Sequence, residues 1–380
     1  MKKYSLSITL AFSLALLSTT GCQQDEVADT QGTSPAEDDT GTGYQKVFDK
    51  NYEQHQISSR MRSNFEHIDK TLNTSGFHRF ASAGVNAYLP ENMKPADRFT
   101  GFIGKEEARQ STPTFLILTN PFSMKSTTEQ TVSSIVHKGS SGIIFTERVN
   151  VGGREGVFYF TRESIQDVTI GKYILTFGDD EFSWIMTSTF TKEHEEKYGP
   201  ELLKVMLNIE IAEERAPPGE DVDFTMSSDS LVLTDGFVDK LLFTLTGKFP
   251  EDTLKEPIFQ AGRSIIEMEH EDKQAVARQL IPPTADFEVI FVSSEKEIEI
   301  DGMQGYEFVS IGRDRLSNEP LMIYSAVIFG GMDSYLMHGW FSSDNETNYI
   351  ENFRGLAQSF RRKSKTTAAD PVVVEEPTDN

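Results

Sequence analysis

A single cysteine, Cys22, stands in 380 residues, which leaves no intrachain disulfide and no cysteine-based zinc site. Basic residues are scarce as well: 36 Lys and Arg oppose 59 Asp and Glu, for a net charge of −23. Such a chain repels nucleic-acid phosphates and anionic lipid headgroups, so no DNA- or RNA-binding role is expected. Motifs of known chemistry are missing too. There is no G-x-S-x-G elbow, no H-E-x-x-H, no Walker loop and no strand-linked G-x-G-x-x-G. The apolar stretch from Leu6 to Leu17 runs for about 12 residues, too short to cross the hydrocarbon core as a helix. The hydrophobic fraction of 37% is low, yet sufficient for real cores because acidic and polar residues gather at the two ends.

The first residues have the layout of a signal peptide. Lys2 and Lys3 form a short positive region, Leu6 to Leu17 the apolar region, and Ser18-Thr19-Thr20-Gly21-Cys22 a small-residue junction. Gly21-Cys22 resembles the bacterial lipobox, in which a small residue precedes a cysteine that receives lipid; Thr19 stands where that pattern usually has leucine. The resemblance implies cleavage between Gly21 and Cys22, several acyl chains on Cys22, and a firm membrane anchor, since one chain alone holds only marginally. Gln23 follows the cysteine where aspartate would retain a lipoprotein at the inner membrane. The resemblance therefore implies the outer membrane, facing the periplasm.

Residues 1–21 thus read as the signal peptide and 22–43 as a disordered acidic linker, too poor in apolar residues to fold. As a flexible chain the linker spans roughly 25 Å. Residues 44–76 read as a lead helix. Ile57, Met61, Phe65, Ile68 and Leu72 recur at helical spacing, and Gly76 suits a C-terminal cap. The stripe is expected to pack on the domain that follows, with docking to a partner as the other reading.

Beyond the lead helix the chain repeats itself at a lag of about 150 residues. Val149-Asn150-Val151-Gly152-Gly153-Arg154-Glu155-Gly156 aligns with Ile298-Glu299-Ile300-Asp301-Gly302-Met303-Gln304-Gly305. Each is an alternating strand, a turn of the kind that needs positive φ twice, and a second glycine three residues on. Phe177-Gly178 aligns with Phe329-Gly330, and Trp184, Ile185, Met186 and Phe190 align with Tyr335, Leu336, Met337 and Phe341. Each copy closes on a helical stripe: Leu202, Val205, Met206 and Ile209 in the first, Phe353, Leu356, Ala357 and Phe360 in the second. Ser343-Asp344-Asn345-Glu346 predicts a capping box before the second. Upstream, the strand Phe115–Leu118 corresponds to Ser264-Ile265-Ile266, a helix beginning near Thr127 to one at Lys273–Leu280, and Pro90 to Pro250.

Each copy therefore reads strand, strand, helix, hairpin, hairpin, helix. That order predicts an α+β fold of two tandem repeats, each a mainly antiparallel sheet layered with helices. The repeats span 77–212 and 222–363, with a polar joint at 213–221 containing Pro217-Pro218-Gly219 and a disordered acidic tail at 364–380. The strand order, the paired turns and the closing helix resemble the Mog1/PsbP-like fold, which includes DcrB-like bacterial lipoproteins. That resemblance covers both copies and implies a binding or assembly accessory with no shared catalytic motif.

Candidate chemistry is sparse. His194 with Glu195 and Glu196, and His270 with Glu269, Glu271 and Asp272, lack the i, i+4 pair of a helical zinc site. Asp179-Asp180-Glu181 lacks the alternation of a calcium loop, and its counterpart is Gly331-Met332-Asp333. Gly139-Ser140-Ser141-Gly142 lacks the spacing of a nucleophile elbow. The aromatics Phe182, Trp184, Trp340 and Phe341 belong either to the core or to a groove between sheet and helix. No catalytic residue, metal or cofactor is assigned. The sequence predicts a membrane-tethered, non-enzymatic accessory that binds another envelope protein. The alternatives are a carrier or sensor of a small hydrophobic ligand and, third, an enzyme of unknown type. Oligomeric state is open.

Overall fold

The computed structural model describes residues 56–66, 68 and 77–363, apart from short stretches at 106–111, 138–141, 166–167, 235–236, 239, 251–253, 255, 265–271, 282–286, 316 and 346–348. The segments 1–21, 22–43 and 364–380, read from the sequence as signal peptide, linker and tail, lie outside the described residues together with Leu72 and Gly76, and with them Gly21 and Cys22.

Two seven-stranded antiparallel sheets form the body of the molecule. The first contains β3 (Met93–Pro95), β4 (Gly101–Gly104), β5 (Thr114–Asn120), β6 (Ile143–Val151), β7 (Arg154–Ile165), β8 (Val168–Gly178) and β9 (Ser183–Thr191). The second contains β12 (Val232–Leu233), β13 (Lys240–Thr244), β14 (Ile258–Arg263), β15 (Phe287–Ile300), β16 (Met303–Asp314), β17 (Pro320–Gly330) and β18 (Asp333–Ser342). Their orders are β3-β4-β5-β9-β8-β7-β6 and β12-β13-β14-β18-β17-β16-β15, the same path through space. The fold is α+β with two tandem sheet domains. Smaller pairings flank them: β1 (Phe77–Phe80), β2 (Val85–Tyr88) and β10 (Glu210–Ile211) in one sheet, β11 (Phe224–Thr225) with β19 (Arg361–Arg362) in another.

The two predicted hairpin turns occur as read. Gly152 and Gly153 have φ of 57° and 80°, and Asp301 and Gly302 have φ of 53° and 72°, the left-handed pair that a two-residue hairpin demands. The later glycine in each copy answers a different need. A Cβ on Gly305 would lie 2.1 Å from the Val327 carbonyl oxygen, and one on Gly156 would lie 2.9 Å from that of Thr176. Gly305→Ala is expected to cost more than about 2 kcal/mol, because backbone must give way in a packed sheet. Urea unfolding checks this; a loss under about 0.5 kcal/mol would place the effect at the level of an ordinary surface change.

Helices cover the centre of each sheet on both faces, so the central strands are buried throughout rather than alternating: β5 and β9 are almost wholly inaccessible. On the first sheet, Phe115 and Ile117 face the closing helix Glu195–Leu207, and Leu116 and Leu118 face the helix Met124–His137. In the second repeat the closing helix is Ile350–Gln358 and the other is Lys273–Leu280, which begins on Asp272 as its N-cap.

Four upstream expectations are corrected. The partner of β5 is β14, ending at Arg263, so Ser264 lies just past the strand and Ile265 and Ile266 lie outside the described residues. Each sheet also carries an extra edge strand, β3 or β12, too short to show a period of two. Pro90 precedes β3 while Pro250 follows β13, so they are not equivalent. Ser343 is not the N-cap of the closing helix, which starts at Ile350 after Tyr349: Ser343–Asn345 form a turn off β18, and Glu346, the other half of the predicted box, lies outside the described residues. In addition, the register pairs Trp184 with Phe177 and Tyr335 with Ile328. Ile328 rather than Phe329 is therefore the counterpart of Phe177, because the second hairpin has a shorter turn.

Candidate functional site

Of the lead helix, residues 56–66 are described. Ile57 and Met61 are buried in the first core, with Phe65 and Ile68 packed against it. Phe65 meets Phe158 edge-on at 4.9 Å and lies 5.5 Å from Phe145, and the Tyr173 hydroxyl donates to the Met61 sulfur. Burial raises the Tyr173 pKa, and the nearby Glu195 carboxylate adds to the rise. Glu195 is the clasp of this assembly. Its carboxylate is 8% exposed and takes an arginine on each oxygen, Arg60 from the lead helix and Arg162 from β7. The acid that the sequence offered as a metal ligand is thus committed to two guanidinium groups.

The other residues singled out from the sequence hold structural positions. His194 shares a hydrogen bond with Thr191 and meets Tyr198 edge-on. Asp272 is a helix cap, while His270, Glu269 and Glu271 lie outside the described residues. Asp179 accepts the backbone N–H groups of Glu181 and Phe182 and pairs with Arg154. The backbone bond from Glu181 above all holds its pKa down. Gly142 is exposed just before β6, and Gly139, Ser140 and Ser141 lie outside the described residues. Trp184, Trp340 and Phe341 are all core, and Phe182 is sandwiched between Trp184 and the Arg215 guanidinium. Among the described residues no group of three or more His, Cys, Asp and Glu is placed to hold a metal ion. No described helix is long and apolar enough to cross a membrane.

The repeats are locked together by charge. A cleft of about 200 Å³ between them is lined by His78, Arg79, Asp97, Arg98, Asp223 and Arg263, among others. Arg263 pairs with Asp223 at 3.0 Å and Asp333 at 2.7 Å, and donates to the Asp97 carbonyl at 3.1 Å. Arg98 meets Asp333 at 2.5 Å. The joint between the repeats is ordered rather than loose: Asp221 accepts the Ser82 N–H at 3.0 Å, and Val238 of the second repeat is buried in the first core. Arg98 of the first repeat thus pairs with Asp333 of the second, and Arg263 of the second reaches back to the Asp97 carbonyl of the first, so the cleft is a polar clamp between domains.

The same sheet face differs between the copies. By register, Phe158, Phe160 and Arg162 of β7 occupy the places of Glu307, Val309 and Ile311 of β16, and Tyr173 that of Tyr324. Where the first copy is apolar under the lead helix, the second holds a buried ion pair. Glu307, 3% exposed, receives Arg354 of the closing helix at 2.6 Å and the Tyr324 hydroxyl at 3.2 Å. Burial, then the charge of Glu307, raises the Tyr324 pKa. Farther along this face lie Phe291 and Ile311, cross-strand partners that are 60% and 40% exposed. Ile290, 59% exposed, sits in the bulge beside Phe291, while Val292, paired with Ser310, turns to the other face. Sequence reasoning missed this patch: Ile290-Phe291-Val292 reads as an ordinary buried strand.

No protein-family profile matches the chain, and no curated protein matches it. Among solved structures it is similar to cyanobacterial PsbP (CyanoP) from Synechocystis sp. PCC 6803, at 7% identity over 36% of this chain and 91% of that one, with a TM-score of 0.28. It is also similar to the type VI secretion immunity protein TplEi from Pseudomonas aeruginosa, at 10% identity over 78% of this chain and 99% of that one, with a TM-score of 0.27. A third likeness is to the Tle4–Tli4 complex, at 9% identity over 77% of this chain and 99% of that one, with a TM-score of 0.26. Superposition with all three is slight, and the α+β class of this chain stands on its own sheet topology.

Proposed function

We propose that this chain is a lipid-anchored, non-enzymatic binding protein of the bacterial envelope, tethered through Cys22 to the outer membrane and presenting its second repeat to another envelope protein. In this reading each repeat is a PsbP-like unit, and the linker lets the folded part stand off the bilayer. One observation carries the binding role. The two copies keep one strand order but fill the same face differently, the first closed by its own helix and the second left with Phe291 and Ile311 in solvent. A soluble domain keeps such an apolar patch where it serves an interaction. The cleft and the groove beneath the helix Met124–His137 are lined by mixed charges, which suits a small hydrophobic ligand poorly.

Intact mass of the envelope-fraction protein tests the anchor, with Cys22→Ser in parallel. The expected result is the mass of residues 22–380 plus several acyl chains, absent from the variant. An unmodified protein cleaved elsewhere would overturn the tether.

A further inference from the structure

We infer that the open face of the second repeat docks an amphipathic helix from a partner protein, laid where the first repeat carries its own residues 56–66. This inference rests on the binding role proposed above and names the partner's chemistry. In the first copy the helix runs along the strands. Phe65 lies at the level of Phe145 and Phe158, Met61 at Tyr173, and Arg60 near Glu195 and Arg162. The register carries those levels across. The Arg162 level becomes the exposed pair Ile311 and Phe291, the Phe160 level becomes Val309 and Ser294, and the Phe158 level becomes Glu307 with Lys296 opposite it. An occupant therefore needs an apolar side chain where the lead helix has Arg60 and a carboxylate where it has Phe65. The latter would meet the exposed Lys296.

Two features argue against other occupants. Strand addition to β15 is opposed by bulges between Val289 and Phe291 and between Val292 and Ser294, which break the regular ladder beside the apolar residues. A second copy is opposed by size. Three side chains about half exposed, Ile290, Phe291 and Ile311, offer on the order of 300 Å², well short of the roughly 800 Å² that each partner of a stable dimer contributes. One helix face is the right scale.

The test uses the detergent-solubilised full-length chain and one probe: a peptide of residues 52–70 carrying Arg60→Leu and Phe65→Glu, stapled between positions 59 and 63 because short free helices are marginal in water. Fluorescence anisotropy reads affinity, and a photoreactive group at position 60 reads location. The expected result is saturable binding with cross-links to β15 and β16. Phe291→Ser and Ile311→Ser should each weaken binding about tenfold. Lys296→Glu should weaken it as well, and a peptide with Phe65→Lys should regain it. Absence of saturable binding, or affinity indifferent to all three variants, overturns the helix. So does a concentration-dependent dimer abolished by Phe291→Ser, which would make a second copy the occupant. None of these outcomes depends on Cys22, so the tether stands or falls separately.

Discussion

Arg354→Leu is expected to destabilise the protein by about 3 kcal/mol, among the largest effects of any single change outside the apolar cores. Arg354 reaches Glu307 with Nε at 2.9 Å and Nη2 at 2.6 Å, and its Nη1 also binds Glu351. Without it the Glu307 carboxylate, 3% exposed, keeps the Tyr324 hydroxyl but loses its tightest counter-charge. Removing one partner of a buried pair costs about 3–5 kcal/mol, whereas replacing both by fitting apolar groups is often neutral. The lower end applies because Arg354 remains 26% exposed. The first repeat displays the replacement: Phe158 stands at the place of Glu307 and Leu203 at that of Arg354, both fully packed. Glu307→Phe combined with Arg354→Leu should therefore recover most of the loss. Adding Tyr324→Phe, which removes the stranded hydroxyl, should recover more. Urea unfolding midpoints decide it. If Arg354→Leu alone costs less than about 1 kcal/mol, the pair behaves like an exposed one.

The second large effect is a pH dependence placed in one repeat. His338 on β18 is buried among β14, β17 and β18, with Nδ1 3.1 Å from the Ser325 hydroxyl. Burial pushes its pKa down from the ordinary 6.5 to about 3. Above pH 6.5 the imidazole is neutral in folded and unfolded chains, and the stability is fully present. As pH falls, the unfolded chain takes up the proton while the folded one does not, so stability is lost progressively from about 6.5 down to about 3. The slope from this one group is about 1.4 kcal/mol per pH unit, or about 2 kcal/mol between pH 6 and 4.5. Thr187 occupies the corresponding place in the first repeat, so the first sheet has no such switch. His338→Gln should flatten the stability profile by one proton's slope over that window. An unchanged slope would mean that His338 is protonated in the folded protein.

Local pattern in the sequence was enough for the repeat, its α+β character, both hairpin turns, the helix at Lys273–Leu280 and the apolar face of each closing helix. Those features are written in residues a few positions apart: a Gly-Gly or Asp-Gly that tolerates positive φ, or apolar side chains at i, i+3 and i+4. Strand β14 was misplaced because a short run buried on both faces carries no alternation, and the edge strands β3 and β12 were missed because two or three residues are too few to show a period. Ser343, which does not cap the closing helix, shows a similar limit: a matching motif does not start a helix when the chain is still leaving a strand. The candidate site depended on tertiary structure altogether. That Glu195 is gripped by two arginines, one of them 135 residues away, and that Glu307 rather than an apolar residue lies under Arg354, are outcomes of register between distant strands. Whether Phe291 and Ile311 are buried or open depends on which face a helix covers, and the lead helix covers the face of one copy only. Binary pattern marks a side chain as apolar; the neighbour laid against it decides whether it becomes core or contact surface.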